Sequence, residues 1–109
     1  MLELRYYIAE DGRDPFGNWF SALDSAARAK VAVALTRLGQ GNLSNVKPVG
    51  AGVLEYRINF GPGYRVYFGR DGDVLVILLT GGTKQRQQRD IETATDLWNA
   101  YRRRKKAGQ

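Results

Sequence analysis

The chain has 109 residues, with 17 Lys or Arg against 11 Asp or Glu, so its formal net charge at pH 7 is +6. It contains no histidine and no cysteine, which excludes disulfide bonds, thiolate chemistry, zinc-type sites and acid–base catalysis by imidazole. We expect one cytoplasmic domain over residues 1–109 with no membrane segment, no signal peptide, no metal and no cofactor. Its basic surface suits an anionic partner; the alternative is that the charge serves solubility alone.

The first part of the chain predicts one strand and two helices. Residues 2–9 are typical of a strand. Asp14 followed by Pro15 predicts a helix start, because it combines a capping side chain with a proline at the first helical position. A second helix with its own apolar stripe is predicted to begin with Ser25 as its cap. We therefore expect an antiparallel helical hairpin, followed by a polar loop over residues 42–52.

The middle of the chain predicts a β-hairpin and an interior strand. Residues 53–60 and 64–69 each alternate apolar and polar side chains, which is typical of strands with one buried face. Gly61-Pro62-Gly63 is suited to a tight connection between them. Residues 74–80 form a nearly continuous apolar run, which favours a strand in the interior of a sheet.

A last helix is predicted from about Lys84 or Arg86 onward, and its basic tail over residues 102–109 is expected to be frayed. Its predicted apolar stripe consists of Ile91, Ala94, Leu97, Trp98 and Tyr101. The fold class is then α+β, with the element order β-α-α-β-β-β-α. We expect an antiparallel sheet, with the helical hairpin on one face and the helix at the carboxyl end of the chain following the sheet.

The predicted β-hairpin turns two arginines toward the same face of the sheet. A three-residue connection would place Arg57 opposite Tyr67 and Asn59 opposite Arg65. The helical hairpin should cover the face that carries Tyr56, Ile58 and Val66, so the other face is expected to be open. Two guanidinium groups on an open face suit phosphate oxygens; the alternative is a solvated face on which Arg57 pairs with Glu55.

Three cations, Lys84, Arg86 and Arg89, stand at the predicted start of the last helix, just after Gly81-Gly82. The first turn of a helix carries partial positive charge, so each cation there costs about 0.3–1 kcal/mol. Such departures from local rules are expected at functional sites, and a helix start with added cations and glycines suits an anion. The alternative is that the helix begins near Asp90 and leaves the three cations in a loop.

Cleavage of RNA without histidine would need a different base. Lys84 or Glu55 would accept the proton, while guanidinium groups would stabilise the charge that develops on the phosphate. Tyr67 would either stack on a nucleobase or pack in the core.

Three motifs, in this order, carry a resemblance to a known family. They are E-Y-R at residues 55–57, G-P-G-Y-R-V-Y-F at residues 61–68 and L-L-x-G-G-x-K-x-x-Q-x-x-D-I at residues 78–91. Together with the order of the predicted elements, they resemble the RelE/ParE superfamily of bacterial toxin–antitoxin modules. More narrowly, they resemble its HigB-like, phage Gp49-related branch of addiction-module killer proteins. The resemblance extends over nearly the whole chain.

The resemblance implies a metal-independent, ribosome-dependent mRNA endonuclease, in which the ribose 2′-hydroxyl attacks the adjacent phosphate of mRNA in the ribosomal A site. It also implies a neutralising antitoxin, expected to be a helix-turn-helix protein encoded beside it. By position, Arg57 and Arg65 would hold the scissile phosphate. Lys84 would be the base or a phosphate clamp, and Arg86 a secondary contact. Further candidates for contact with RNA are Arg89, Tyr67, Asn59 and Glu55.

Two positions depart from the pattern of some family members. Asn59 stands where they carry a second basic residue, and Asp90-Ile91 stand where they carry a tyrosine of the last helix. Two other functions are compatible with the sequence. One is a ParE-like toxin that poisons DNA gyrase by binding, for which the basic residues of the sheet would matter little. The other is a non-catalytic, phage-derived module whose basic face binds an acidic partner.

Overall fold

The computed structural model describes residues 1–108, and its elements follow the order β-α-α-β-β-β-β-α. The strands are β1 (Glu3–Tyr6), β2 (Val46–Gly50), β3 (Val53–Ile58), β4 (Tyr64–Asp71) and β5 (Leu75–Thr83). The helices are α1 (Pro15–Ala22), α2 (Ser25–Gly39) and α3 (Gln87–Lys106), and a short 3₁₀ turn over Lys84–Arg86 connects β5 to α3. The α+β class predicted from the sequence is confirmed.

The five strands form one sheet in the order β1-β5-β4-β3-β2. The pairs β2–β3, β3–β4 and β4–β5 are antiparallel, whereas β1 lies parallel to β5. The prediction of a wholly antiparallel sheet was therefore wrong at one edge. A hairpin turn forces antiparallel pairing, but β1 is separated from β5 by most of the chain, so its direction is not fixed by a local connection.

The strand β2 occupies much of the segment for which the sequence predicts a polar loop. It is an edge strand that pairs with β3, and its side chains are exposed or half-buried. Pro48 lies inside it, which an edge strand tolerates because one row of its backbone groups faces away from the sheet. An exposed edge strand with lysine and proline lacks the alternation of apolar residues that identifies a strand, so the prediction of a loop was wrong.

Aspartate side chains cap both helices of the helical hairpin. Asp14 Oδ1 accepts a hydrogen bond from the backbone N–H of Gly17 at 3.0 Å, with Pro15 next in the chain, as predicted. The second helix is capped by Asp24, whose Oδ1 accepts from the N–H of Ala27 at 2.8 Å. Ser25, the predicted cap, is instead the first helical residue. Serine and aspartate are both good helix caps, so the sequence alone did not distinguish Ser25 from Asp24.

The helical hairpin covers one face of the sheet, as predicted. Its buried side chains pack on apolar residues that point from β3, β4 and β5 toward the helices. This first core consists chiefly of Phe16, Val31, Leu38, Tyr56, Ile58, Val66, Phe68 and Leu78.

The helix α3 covers much of the other face, which the sequence analysis left open. Its apolar stripe was predicted correctly, and the residues of that stripe pack in a second core with Val53, Tyr67, Ile77 and Leu79. The Trp98 ring lies directly on Gly69 of β4, where a Cβ would overlap it. Burial of the stripe requires a partner surface, and the second sheet face provides it.

The carboxyl end of α3 is held against the sheet. The helix continues through Lys106, so the prediction of a frayed tail was wrong for residues 102–106; residue 109 lies outside the described residues. Asp71 of β4 accepts a 2.5 Å hydrogen bond from the Tyr101 hydroxyl and pairs with Lys105. Arg104 donates to the Ile8 carbonyl oxygen at 2.8 Å. Across residues 1–108, no helix combines the length and the apolar character that a membrane span needs.

We expect Gly69→Ala to destabilise the protein, because the added methyl group would overlap the Trp98 ring. Overpacking of this kind costs about 1–3 kcal/mol, and urea denaturation measures it. Gly39→Ala at the end of α2 is the matched control, since its new Cβ would meet only the Leu2 carbonyl oxygen at 3.8 Å. Equal stability of the two variants would contradict the close packing of α3 on β4.

The contacts of Asp71 predict a pH-dependent stability. The Lys105 ammonium and then the Tyr101 hydroxyl lower the pKa of Asp71, so its contribution is complete above the ordinary aspartate pKa and is lost as the pH falls through the lower folded value. Asp71→Asn should therefore lower the Tm at pH 7, and the difference from the parent should shrink between about pH 5 and about pH 2. Thermal unfolding across this range measures it, with Asp73→Asn, an exposed residue of the same turn, as the control. A difference that does not vary with pH would contradict the assignment.

Candidate functional site

Arg57 and Arg65 lie directly opposite each other on β3 and β4. The connection comprises residues 59–63, so the predicted pairing of Arg57 with Tyr67 was wrong, although both arginines share one face as expected. The connection is long because it is folded on itself: the N–H of Gly63 donates to the Phe60 carbonyl oxygen at 3.0 Å, and Gly63 has a φ of 80°. A backbone with positive φ favours glycine.

Lys84 joins the two arginines at the end of this hairpin. Its backbone N–H donates to the Gly63 carbonyl oxygen at 2.7 Å. A Cβ added at Gly63 would lie 3.3 Å from Arg65 Nη1 and 3.4 Å from Lys84 Cβ, so the absence of a side chain lets these residues approach. We call Arg57, Arg65 and Lys84 the hairpin cluster. Arg57 and Lys84 are exposed, whereas Arg65 is 7% exposed.

Arg65 is held by the carboxylate of Glu55, which is completely buried. Arg65 Nε lies 3.7 Å from Glu55 Oε2, and Gln87 Nε2 donates to the same oxygen at 2.8 Å. Lys47 Nζ lies 3.9 Å from Glu55 Oε1 at the sheet edge. The carboxylate is thus in no position to contact a nucleotide in this structure. Its role is to hold Arg65, and the pair with Arg57 considered from the sequence is not the one that forms.

Tyr67 lies opposite Glu55 in the sheet and is fully buried. Its hydroxyl has no hydrogen-bond partner among residues 1–108. Burial, and next the neighbouring Glu55 carboxylate, raise the pKa of the Tyr67 phenol above its ordinary value. A fully buried ring offers no surface on which a base could stack, so of the two roles that the sequence left open, packing is the one this structure supports.

The start of α3 agrees with the prediction of a helix from about Arg86 onward, and the alternative of a start near Asp90 was wrong. The helix begins at Gln87, and the three residues before it, which include Lys84 and Arg86, form the 3₁₀ turn. The pair Gly81-Gly82 lies inside β5 and provides no cradle for an anion: the Trp19 ring covers Gly81 and the Asp90 carboxylate covers Gly82. A carboxylate of the protein therefore occupies the position where the glycine pair was expected to receive an anion.

Four buried polar atoms gather beneath the start of α3 with no hydrogen-bond partner in the described part of the chain. We call their residues the buried polar cluster. Two of the atoms are donors and two are carboxylate oxygens: Arg65 Nε, Tyr67 Oη, Glu55 Oε1 and Asp90 Oδ2. Burial raises the pKa of the Asp90 carboxyl, while Arg86 and Arg89 act in the opposite direction.

From the sequence, most of these residues were expected at the surface, and Gln87 and Asp90 were not predicted as their neighbours. One signal was available. The alternation that turns Arg57 and Arg65 to one side also places Val53 and Tyr67 there, and an apolar side chain on a supposedly open face indicates a covering element. Gln87 and Asp90, which are polar residues in the first turn of α3, were therefore the candidates to lie beside the buried charged groups.

The exposed part of the site is positively charged and suits an anionic ligand. Arg57, Lys84, Arg86 and Arg89 are exposed, and Asn59 is exposed within the hairpin connection. Arg65 Nη1 lies beside this surface, near Gly63. Guanidinium and ammonium groups at one place bind phosphate oxygens by charge-assisted hydrogen bonds.

The fold and this site define a small α+β protein with a basic cluster at the end of its central hairpin. A model of the family described as phage-derived protein Gp49-like (DUF891) matches residues 18–103, and the chain belongs to this family. The family is related to RelE-like toxins. A protein of Haemophilus influenzae, described as uncharacterized, is 45% identical over 80 residues, which are 72% of this chain and 81% of that protein.

A double-mutant cycle tests the pairing of Glu55 with Arg65. Glu55→Gln should cost about 3–5 kcal/mol of unfolding free energy, because it leaves the buried guanidinium without its counter-charge. Combining it with Arg65→Gln should cost less than the sum of the two single changes. Arg57→Gln, two residues along β3 from Glu55 and exposed, should change stability by about 0.5 kcal/mol or less. Additive losses in urea denaturation would show that the two residues do not interact.

Proposed function

We propose that this protein is the toxin of a type II toxin–antitoxin module and that it inhibits translation by cleaving mRNA on the ribosome. The main support for the proposal is the position of three cations at the end of the β3–β4 hairpin: Arg57 lies opposite Arg65, and Arg65 and Lys84 both lie beside Gly63. Membership of a family related to RelE-like toxins supports it, as does an α+β architecture compatible with the RelE-like fold. Because the chain has no histidine, arginine and lysine are the residues proposed to bind the phosphate and to stabilise its charge during cleavage.

In the proposed reaction, the ribose 2′-hydroxyl attacks the adjacent phosphorus. The bond from phosphorus to the 5′-oxygen of the next nucleotide breaks, which yields a 2′,3′-cyclic phosphate and a 5′-hydroxyl end. Arg57 and the outer edge of Arg65 hold the nonbridging oxygens and stabilise their increasing charge. Lys84 acts on the same phosphate, either as the base for the 2′-hydroxyl or as a further cation. Glu55 contributes by fixing Arg65.

Two partners follow from the proposal. The substrate is mRNA in the ribosomal A site, and the exposed Arg86, Arg89 and Asn59 would contact RNA around the scissile phosphate. The second partner is an antitoxin encoded by the neighbouring gene, proposed to be a helix-turn-helix protein. It would prevent cleavage by covering basic residues that the free toxin exposes.

The first test is induction of the chain in bacteria, followed by mapping of RNA ends by primer extension. We expect growth arrest and new cleavages within translated frames, both suppressed when the neighbouring gene is co-expressed. Lys84→Ala should reduce cleavage by about 10²-fold or more, which is the usual loss when one stabilising group is removed from a developing anion.

Arg37→Ala is the matched control for this test, because Arg37 is an exposed cation in the last turn of α2, on the other side of the sheet. It should leave cleavage unchanged, and circular dichroism should show that both variants fold. Growth arrest with intact mRNA and a DNA-damage response would favour the poisoning of gyrase instead. Normal growth during expression would favour a non-catalytic binding module. Either result would overturn the nuclease proposal.

A further inference from the structure

A second group of cations lies at the other end of α3, around a cavity that the proposed reaction does not use. The cavity has a volume of about 580 Å³, and it is lined by the end of β4 and the last turns of α3. We call the cations of its wall that remain free of carboxylates the C-terminal cluster: Arg70, Arg102, Arg103 and Lys106.

The positive charge of this cluster is not neutralised by the protein. Within residues 1–108, Asp71 is the one acid in the cavity lining, and it is already bound to Tyr101 and Lys105. None of the four cations of the cluster has a carboxylate within 4.0 Å in that part of the chain. Arg104 is not part of the cluster, because its guanidinium is bound to the Ile8 carbonyl oxygen.

Like charges are crowded on the helix itself. Lys106 lies four residues after Arg102 and three after Arg103, spacings at which side chains on a helix are neighbours and like charges repel. The partial negative charge of the helix end offsets part of this repulsion. A bound anion would reduce the remaining repulsion between these cations. Locally unfavourable arrangements of this kind are expected at functional sites.

Arg70 gives an independent sign that the cavity is suited to an anion. Its Nη2 donates to the Asp73 carbonyl oxygen at 2.5 Å, which fixes the guanidinium in the cavity wall. Its Nε is buried and has no hydrogen-bond partner among the described residues. Because the guanidinium is already held in the cavity wall, its positive charge is presented to an anion without further ordering of the side chain.

The two basic clusters are separate. The helix α3 has 20 residues, and at 1.5 Å per residue it is about 30 Å long. The hairpin cluster lies near its beginning and the C-terminal cluster at its end. A ligand at the second cluster is therefore not the phosphate at which the proposed cleavage occurs, and its binding is a separate property of the chain.

We propose that the C-terminal cluster binds the phosphate backbone of single-stranded RNA. Arginine predominates in it, and the planar guanidinium fork matches phosphate oxygens in pairs. A cavity of this size accepts one nucleotide of a flexible strand, and Tyr101, half-buried and stacked on Trp98 in the cavity wall, offers an aromatic edge to it. The proposal does not depend on RNA cleavage.

Two matched double variants test the proposal. Arg102→Ala with Lys106→Ala removes one arginine and one lysine from the cluster, and Arg37→Ala with Lys30→Ala removes the same two residue types from exposed positions of α2. The probe is a fluorescein-labelled, single-stranded 2′-O-methyl oligoribonucleotide, followed by anisotropy over a range of salt concentrations. It lacks the 2′-hydroxyl, so the assay reads binding whether or not the protein is a nuclease.

Each phosphate contact on a single strand contributes about 0.7 to the slope of log K against log salt. The Arg102→Ala, Lys106→Ala variant should reduce the magnitude of that slope by about 1.4 for its two lost contacts, while the slope of the α2 variant stays close to that of the parent. Thermal unfolding checks that both variants fold. Equal losses in the two variants would assign the binding to net charge and overturn the proposal. Unchanged RNA binding together with lost binding of polyglutamate would also overturn it, in favour of an acidic protein partner.

Discussion

The buried ion pair of Glu55 with Arg65 requires polar residues at the start of α3, which covers it. A carboxylate and a guanidinium on the second face of the sheet need polar partners wherever water is excluded. The first turn of α3 meets part of this need, because Gln87 donates to Glu55 Oε2. Asp90 adds a second buried carboxylate, whose Oδ2 has no hydrogen-bond partner among residues 1–108. Four residues after Asp90, about one helical turn further along, Ala94 is buried and packs in the second core. The polar start of α3 is thus a consequence of the charges beneath it.

The same pair connects the interior of the protein with its basic surface. Arg65 is fixed from within by Glu55, while its Nη1 lies near Gly63 beside Lys84. A guanidinium that is fixed before a ligand arrives loses little conformational entropy on binding. The exposed Arg57 and Lys84 complete the charge around it. The hairpin cluster therefore combines one buried cation of fixed position with two exposed cations.

Much of the local structure could be predicted from the sequence, because the signals are local. The cap at Asp14 and the apolar stripe of α3 depend on neighbouring residues along the chain, and both predictions were confirmed. The parallel pairing of β1 and the edge strand β2 could not be predicted in this way, since neither depends on a nearby turn or a clear alternation. The residue types of the site were recognised, but their burial was not. Glu55 is covered by Gln87, which lies 32 residues further along the chain.

The parallel pairing of β1 with β5 has a consequence for how the newly made chain folds. Glu3 pairs with Leu75, so β1 can join the sheet only after the ribosome has synthesised the chain as far as β5. Contacts between such distant segments slow folding, because a long loop has to close before they form. The helix α3, which seals the second core, is synthesised later still. A nascent chain therefore completes its sheet only after β5 has been synthesised and covers its charged site only after α3 has followed, so shortened products that lack α3 would expose the Glu55–Arg65 pair to water.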